Sequence, residues 1–174
     1  MKFSTVMAVF AMALAAATSG CKYDKAGNGS GDDANVSDIA GQEGALSDIS
    51  EGKFEDLYKR CTDVEFAPVY FGFDSTVIPA GEIGKIDAVI SHLNDKTDRV
   101  VVVEGNCDER GSSEYNMALG ENRAIIIRNY LVQGGIAADR IQTRSYGAEK
   151  PAVDGHDESA WAKNRRGDFA IFQK

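Results

Sequence analysis

The sequence is poor in several residue types on which specialised functions depend. Its 19 Lys and Arg residues stand against 27 Asp and Glu, which gives a formal net charge of −8. Nucleic-acid-binding surfaces carry a basic excess, so this balance argues against a nucleic-acid partner. Only three cysteines and two histidines are present, which is too few cysteines for a disulfide-rich scaffold. The 43% hydrophobic and 26% charged residues are typical of an ordinary globular domain.

Long hydrophobic runs are also scarce, and the clearest one lies at the N-terminus. It extends from Phe3 to Ala17 after a basic start, and at about 15 residues it is shorter than the roughly 20 that cross a bilayer. Such a run predicts an export signal over residues 1–20. The small residues 18–20 precede Cys21, an arrangement that resembles the lipobox of bacterial lipoproteins and implies lipidation of Cys21. The alternative is an ordinary secretory signal with an incidental cysteine.

The segment after Cys21 changes in composition and predicts a flexible tether. Glycine is interleaved with Asn, Ser and Asp, and little can be buried before Leu46. Such a segment buries too little apolar surface to offset the conformational entropy that it would lose on folding. Residues 21–60 are therefore predicted to form a lipidated, acidic tether. Apolar residues return between Leu46 and Arg60, which favours a short helix or a partly ordered lead-in. Lys22 stands where an Asp would resemble an inner-membrane retention mark, so the outer membrane is favoured.

Residues 61–174 alternate between strand-like and helix-like patterns and predict one folded domain. Aromatic and β-branched runs predict strands, and apolar residues at helical spacing predict helices. In chain order the predicted elements are strand 65–73, a helix from Pro79 through Leu93, strand 99–104, helix 113–133 ended by Gly134 and Gly135, strand 141–146, helix 158–166 and strand 168–172. This β-α-β-α-β-α-β order predicts an α/β fold of the two-layer α+β kind, with helices packed on a four-stranded mixed sheet.

One segment, Glu104–Ala124, places charged residues at an informative spacing. A strand end leads through Asp108 into a glycine-containing turn, and the next helix presents Asn116, Leu119 and Arg123 on one face. Asp108 and Arg123 are therefore expected to be neighbours at a strand-to-helix corner. A carboxylate beside a guanidinium suits a zwitterionic ligand. Most Asp/Arg pairs of this sort are structural salt bridges, and the spacing by itself does not separate a salt bridge from a ligand site.

The same segment resembles the signature of the OmpA C-terminal-like peptidoglycan-binding domain, and the turn DERG at residues 108–111 is closest to the lipoprotein branch of that family. Supporting matches extend across the predicted domain. They are YFGFDS at 70–75, the helix pattern Asn116, Leu119, Gly120, Arg123 and Ala124, SYG at 145–147, KPAV at 150–153, GHDE at 155–158 and KNRR at 163–166. The chain departs from the family pattern at Asn106 and Cys107, where the family has His followed by Ala or Thr, and at Asn122, where the family has Arg.

The resemblance implies a binding protein rather than an enzyme, with no cofactor and no metal. The implied ligand is peptidoglycan, held non-covalently through the diaminopimelate of its stem peptide. The implied site consists of Asp108 for the ammonium, Arg123 for the carboxylate, and Phe73, Asp74, Ser75, Asn116 and Leu119 lining or supporting the pocket.

The resemblance also implies a place in the cell and a set of partners. The protein would be lipid-anchored in the outer membrane, face the periplasm and tether that membrane to the cell wall. Periplasmic Tol proteins would be its partners in envelope integrity and cell division. Two alternatives are an OmpA-like envelope anchor without Tol partners and a cell-wall-modifying enzyme.

With one cysteine assigned to the lipid, Cys61 and Cys107 remain in a compartment that favours oxidation. Each flanks a predicted strand, so a disulfide across neighbouring strand ends is one hypothesis and two free thiols are the other. Catalysis by Cys107 with His156 as base has little support, and neither has a zinc site on the two cysteines, because the usual ligand spacings are missing. Trp161 and Phe169 are predicted to be core or sheet-packing residues.

Overall fold

The structure, a computed structural model, describes Phe54 and residues 56–173. The predicted signal peptide, the predicted lipidation site Cys21 and most of the predicted tether lie outside the described residues. Within the described part of the chain, no helix is both long enough and apolar enough to cross a membrane. Phe54, Asp56 and Leu57 are helical and lead directly into the first strand.

The strands among the described residues form one mixed sheet. They are β1 (Lys59–Arg60), β2 (Val69–Tyr70), β3 (Arg99–Asn106), β4 (Ile141–Gly147) and β5 (Arg166–Gln173). β3 is central, with β4 parallel to it on one side and β5 antiparallel on the other. Both β1 and β2 pair antiparallel with the outer edge of β5. A mixed sheet combined with helices confirms the predicted fold class.

Three α-helices and two short 3-10 helices connect the strands in this part of the chain. The α-helices are α1 (Ile83–Asp95), α2 (Ser113–Gln133) and α3 (Glu158–Asn164), and the 3-10 helices are Ala80–Glu82 and Ala138–Arg140. α2 begins where the Ser112 side chain accepts a hydrogen bond from the Tyr115 N–H at 3.2 Å, as an N-cap residue does. It ends before Gly134 and Gly135, so both of its predicted bounds are confirmed.

The predicted third helix ends earlier than expected. Its start is confirmed, because the Asp157 carboxylate caps it by accepting from the Ala160 N–H at 2.9 Å. The chain then enters β5 at Arg166, which shortens the helix at its C-terminal end. Pro79 precedes a 3-10 turn instead of starting α1 itself.

Buried apolar residues cover both faces of the sheet. On one face, α1 and α2 pack against β3, β4 and β5, and the apolar residues of α2 that face the sheet are buried. The residues of this larger core include Ile86, Val89, Leu93, Val101, Val103, Ala124, Ile127, Leu131, Ile141 and Ile171. On the opposite face Phe54 packs edge-on against Phe172, with ring centroids 5.1 Å apart, over a smaller cluster with Val100 and Val102. The N-terminal helical turn therefore caps the sheet face that α1 and α2 leave open.

The edge of the sheet differs from the prediction. The predicted strand 65–73 is reduced to the two residues of β2, and β1 forms at the end of the predicted lead-in. Pro68 has no N–H to donate to a strand ladder, and residues 61–68 lie between the two pieces that pair with β5. One predicted edge strand is thus replaced by two short ones, and the sheet has five strands instead of four.

The hypothesis of a Cys61–Cys107 disulfide is wrong for this structure, in which both are free thiols. Cys61 follows β1 and donates its backbone N–H to the Ile171 carbonyl at 2.8 Å. Ile171 in turn pairs with Val101, near the start of β3. Cys107 follows the far end of that strand, which is about 20 Å away at roughly 3.3 Å per residue. A disulfide requires Cα atoms within about 7 Å.

α2 approaches β3 so closely that backbone contacts backbone. A Cβ atom at Gly105 would overlap the carbonyl oxygen of Gly120, and a Cβ at Gly120 would lie 2.9 Å from the Gly105 carbonyl oxygen. Neither clash can be relieved by turning a side chain away. This approach brings the end of β3 against the face of α2 that carries Asn116 and Arg123.

We expect Gly105→Ala to lower the free energy of unfolding by about 2–3 kcal/mol, because α2 would have to move away from β3. Urea unfolding followed by the fluorescence of Trp161, the single tryptophan, measures this change. Gly84→Ala is the matched control, since a Cβ there meets no atom within 4 Å and alanine in a helix is favoured over glycine by about 1 kcal/mol. Equal stabilities of the two variants would contradict the backbone-contact explanation.

Candidate ligand-binding site

The strand order brings several chain segments to one end of the sheet. β3 ends where β5 begins, since Gly105 pairs with Gly167, and β2 ends beside them, since Tyr70 pairs with Arg166. α2 starts at the same end. A cavity of about 230 Å³ lies between these segments. Its lining residues are Phe73, Asp74, Cys107, Asp108, Arg110, Gly111, Tyr115, Asn116, Leu119, Arg123 and Arg165.

Asp108 lies in the turn after β3 and is only 4% exposed. Its Oδ2 accepts from Arg110 Nη2 at 2.6 Å and from Arg165 Nη1 at 3.2 Å. Burial by itself raises the pKa of the Asp108 carboxyl, but hydrogen bonds from Arg110 and Arg165 outweigh burial and hold that pKa below its usual range. The cavity therefore contains an ionised carboxylate at neutral pH.

Arg123 is fully buried on α2, and its guanidinium forms hydrogen bonds with uncharged groups. Nε donates to the Ser75 carbonyl at 3.0 Å, Nη1 to the Asn106 carbonyl at 2.8 Å and to Cys107 Sγ at 3.4 Å, and Nη2 to the Gly72 carbonyl at 3.2 Å. No carboxylate of the described residues forms an ion pair with it. Burial lowers the pKa of Arg123, yet a guanidinium remains protonated in proteins.

The hydrogen bonds of Arg123 limit how it can contact a ligand. Four of its five N–H groups have acceptors, so one Nη2 N–H remains without one among the described residues. A two-pronged contact to a carboxylate is therefore not available while the Gly72 carbonyl is bound. Arg123 instead offers an uncompensated positive charge and a single N–H, and charge strengthens such a bond.

The structure brings Asp108 and Arg123 to one cavity but does not pair them. Asp108 forms structural salt bridges, but its partners are Arg110 and Arg165 and not the expected Arg123. The positive charge of Arg123 is left to face the cavity.

The loop after β2 contributes the other predicted residues. The ring of Phe73 is 62% exposed at the mouth of the cavity. Asp74 has a φ of 49°, a left-handed conformation that is uncommon for a residue with a side chain, and its carboxylate accepts a hydrogen bond from the Tyr115 hydroxyl. Ser75 takes part through its backbone, because its carbonyl oxygen accepts from Arg123.

The two predicted α2 residues have different positions in the site. The Asn116 amide donates to the Arg110 carbonyl at 3.0 Å and the Asp108 carbonyl at 3.4 Å, so it holds the turn that carries Asp108. Leu119 forms an apolar part of the cavity wall. Both therefore lie on the cavity side of α2, as the helical spacing predicts.

Five lining residues of the cavity were not among the predicted binding residues: Cys107, Arg110, Gly111, Tyr115 and Arg165. Arg110 and Arg165 stand inside the DERG and KNRR segments, and Tyr115 directly precedes Asn116. Their positions in or beside segments that match the family were the sequence signal that could have indicated a role in the site. Nothing in the spacing indicated that the two arginines share one carboxylate, because 57 residues separate Arg165 from Asp108.

The departures from the family pattern at Asn106 and Cys107 have different consequences for the site. The Asn106 side chain donates to the Glu104 carbonyl at 3.2 Å and to Asp168 at 3.1 Å, and only its backbone carbonyl contacts Arg123. Cys107 lines the cavity and donates to the Asn116 carbonyl at 3.3 Å. Burial raises the pKa of the Cys107 thiol, which disfavours the reactive thiolate.

Trp161 lies at the edge of the site, where the prediction of a core position is wrong. Arg110 lies over its ring at 4.1 Å from the centroid, and its Nε1 donates to Glu109 at 2.9 Å. Phe169 packs against the larger core, as predicted.

His156 Nδ1 lies 2.8 Å from Glu109. The histidine of the Cys107–His156 catalytic hypothesis is therefore bound to a carboxylate and not to Cys107.

The pKa values of the two histidines are shifted in opposite directions, which an NMR titration can test. The hydrogen bond to Glu109 raises the pKa of His156, whereas burial and then the Arg99 charge lower the pKa of His92. The stabilisation from protonated His156 is fully present below the unfolded pKa of about 6.5 and is lost as pH rises through the folded value. In an NMR titration, Glu109→Gln should lower the pKa of His156 and leave that of His92 unchanged. An unchanged His156 pKa would contradict the pairing.

Comparison with known proteins identifies the family. The family model described as the OmpA family matches residues 70–165. The chain is 48% identical over 112 residues to the peptidoglycan-associated lipoprotein of Pasteurella multocida, covering 64% of this chain and 71% of that protein. It is 40% identical over 161 residues to the protein of the same name from Pseudomonas aeruginosa, covering 91% and 92%. The crystal structure of the peptidoglycan-associated lipoprotein from Burkholderia pseudomallei matches with a TM-score of 0.58 at 39% identity, over 60% of this chain and 88% of that one. The chain therefore belongs to the OmpA family, in the branch of the peptidoglycan-associated lipoproteins.

Proposed function

We propose that the protein is an outer-membrane lipoprotein whose domain binds peptidoglycan non-covalently and so tethers the outer membrane to the cell wall. The name shared by its relatives supports an association with peptidoglycan. The observation that carries the proposal is the cavity at the end of β3, where the buried charge of Arg123 and the carboxylate of Asp108 line one space. Such a cavity is suited to a ligand with one negative and one positive group.

The proposed ligand group is the diaminopimelate of the peptidoglycan stem peptide. Its side-chain centre carries an ammonium and a carboxylate on the same carbon atom. The carboxylate would face Arg123, and the ammonium would face Asp108. Phe73 at the cavity mouth and Leu119 on the wall would contact the aliphatic part of the ligand. A group with both charges close together fits a cavity of about 230 Å³ better than a long polymer strand would.

The proposal extends to the segments and partners that the family resemblance implies. Residues 1–20 would be the signal peptide, Cys21 the lipidated residue and residues 21–60 the tether to a folded domain of residues 61–174. Two or more acyl chains anchor a protein stably where a single chain does not. Facing the periplasm, the domain would have Tol proteins as partners in envelope integrity and cell division. It would act without catalysis.

We expect Asp108→Asn and Arg123→Lys to lower binding to purified sacculi by about tenfold or more, because the first removes the negative charge and the second removes the guanidinium N–H that faces the ligand. Both substitutions keep the approximate size of the side chain, which matters because Arg123 is fully buried. Co-sedimentation of the purified protein with sacculi measures the loss. The matched control is Asp63→Asn, which breaks the Arg99–Asp63 ion pair of 2.7 Å at the other end of β3.

Three outcomes of the sacculus assay would contradict parts of the proposal. Wild-type binding by both site variants would show that the ligand lies elsewhere. Binding lost in the Asp63→Asn control would indicate a general effect of charge instead. Release of soluble muropeptides from sacculi by the wild type would contradict the proposed absence of catalysis and favour a cell-wall-modifying enzyme.

We expect Cys21→Ser to move the protein from the membrane fraction to the soluble fraction, because the thiol that would carry the lipid is absent. Fractionation of cells that produce the full chain, followed by immunoblotting, measures the change. Cys61→Ser is the matched control, since it removes a thiol within the folded domain and should leave the protein with the membranes. Unchanged fractionation of Cys21→Ser would contradict lipid anchoring at this residue.

A further inference from the structure

The carboxylate of Asp108 already accepts as many hydrogen bonds as it can. Oδ1 accepts from the backbone N–H and the Nε of Arg110, both at 3.1 Å. Oδ2 accepts from Arg110 Nη2 at 2.6 Å and from Arg165 Nη1 at 3.2 Å. Two oxygens provide about four lone-pair positions, and all of them are occupied. A ligand ammonium can therefore contact Asp108 only if one of these donors leaves.

Arg110 is the donor that can leave at the lower cost. The side chain of Arg165 is 7% exposed, and it also donates to the Phe71 carbonyl at 3.2 Å and to Glu158 at 2.6 Å. Moving it would leave buried polar groups without partners, which is costly. The side chain of Arg110 is 32% exposed, so its guanidinium can turn toward solvent.

A second carboxylate lies close to the Arg110 guanidinium. The guanidinium lies between the rings of Phe73 and Trp161, at 4.1 Å from each centroid. Glu158 Oε2 lies 3.7 Å from Arg110 Nη2. A rotation between the two rings would exchange Asp108 for Glu158 and keep both aromatic contacts, which stabilise a cation by roughly 0.5–1 kcal/mol each at exposed sites.

We propose that Arg110 is a specificity-determining residue that competes with the ligand ammonium for Asp108 and thereby restricts the site to ligands with both charges. This inference rests on the proposed function. A ligand with a carboxylate alone can use Arg123 while Arg110 stays in place. A ligand with an ammonium alone must displace Arg110 without a second contact to compensate. A zwitterion gains the contact to Arg123 and can then replace Arg110 at Asp108.

The test compares the wild-type lipoprotein, purified in detergent, with Arg110→Gln by calorimetric titration with a tripeptide that ends in diaminopimelate. We expect Arg110→Gln to bind the peptide about tenfold more tightly, because the two hydrogen bonds from the Arg110 guanidinium no longer compete with the ligand for Asp108. Arg110→Lys, which keeps the charge and loses the planar fork, should give an intermediate gain. Arg128→Gln is the matched control, because it removes one positive charge from α2 at a residue that does not line the cavity.

A second ligand separates competition from a general structural effect. Acetylation of the side-chain amine removes the ammonium, and this peptide should bind the wild type and Arg110→Gln equally. A gain of equal size for both peptides would overturn the inference, and so would equal or weaker binding of the free-amine peptide by Arg110→Gln. Peptide binding by the wild type without the expected gain overturns only the role of Arg110. No binding by either protein overturns the proposed function together with this inference.

Discussion

The buried guanidinium of Arg123 joins the segments that form the ligand cavity. Its N–H groups donate to carbonyls of the loop after β2 and of the last residue of β3, while its own backbone belongs to α2. A charged group at this depth is stable only when hydrogen bonds satisfy it. Because these acceptors are uncharged, Arg123 orders the site and keeps its positive charge for a ligand. The close contact of Gly105 and Gly120 is what allows α2 to present it there.

The negative charge of the site is arranged in the opposite way. Asp108 has two arginine partners, and one of them, Arg165, lies directly after α3 and also bonds the loop after β2. Removing either partner of a buried ion pair leaves an uncompensated charge, so the Asp108 cluster stabilises the fold as well as the site. The buried positive centre has no ion-pair partner to give up, whereas the negative centre has to exchange partners. A site with this asymmetry is suited to recognise a zwitterion in which both charges are present together.

The site occupies one end of the sheet, and the chain enters the domain at the other. β1 pairs with the last residues of β5, beside the first residues of β3, whereas the cavity lies where β3 ends and β5 begins. Cys61 and Arg99 are at the entry end, and Asp108, Arg110 and Arg123 are at the cavity end. Under the proposed function, in which an N-terminal tether holds the domain, this arrangement would keep the cavity away from the attachment point.

The sequence by itself determined the elements whose signals are local. α2 has the predicted bounds because Ser112 and the glycines 134 and 135 act within one turn of its ends. β3 was predictable because a run of valines buried on both faces carries its own signal. The face of α2 with Asn116, Leu119 and Arg123 followed from helical geometry alone. Only the tertiary structure decided which segments are neighbours. β5 lies between β1 and β3 and starts at the end of the sheet where β3 ends, which brings Arg165 to Asp108 across 57 residues of sequence. The antiparallel pairing of β1 with β5 puts Cys61 and Cys107 at opposite ends of the sheet. Periodicity reports burial and local conformation, whereas strand order depends on the packing of the whole chain, so it could not be derived from the spacing of any single segment.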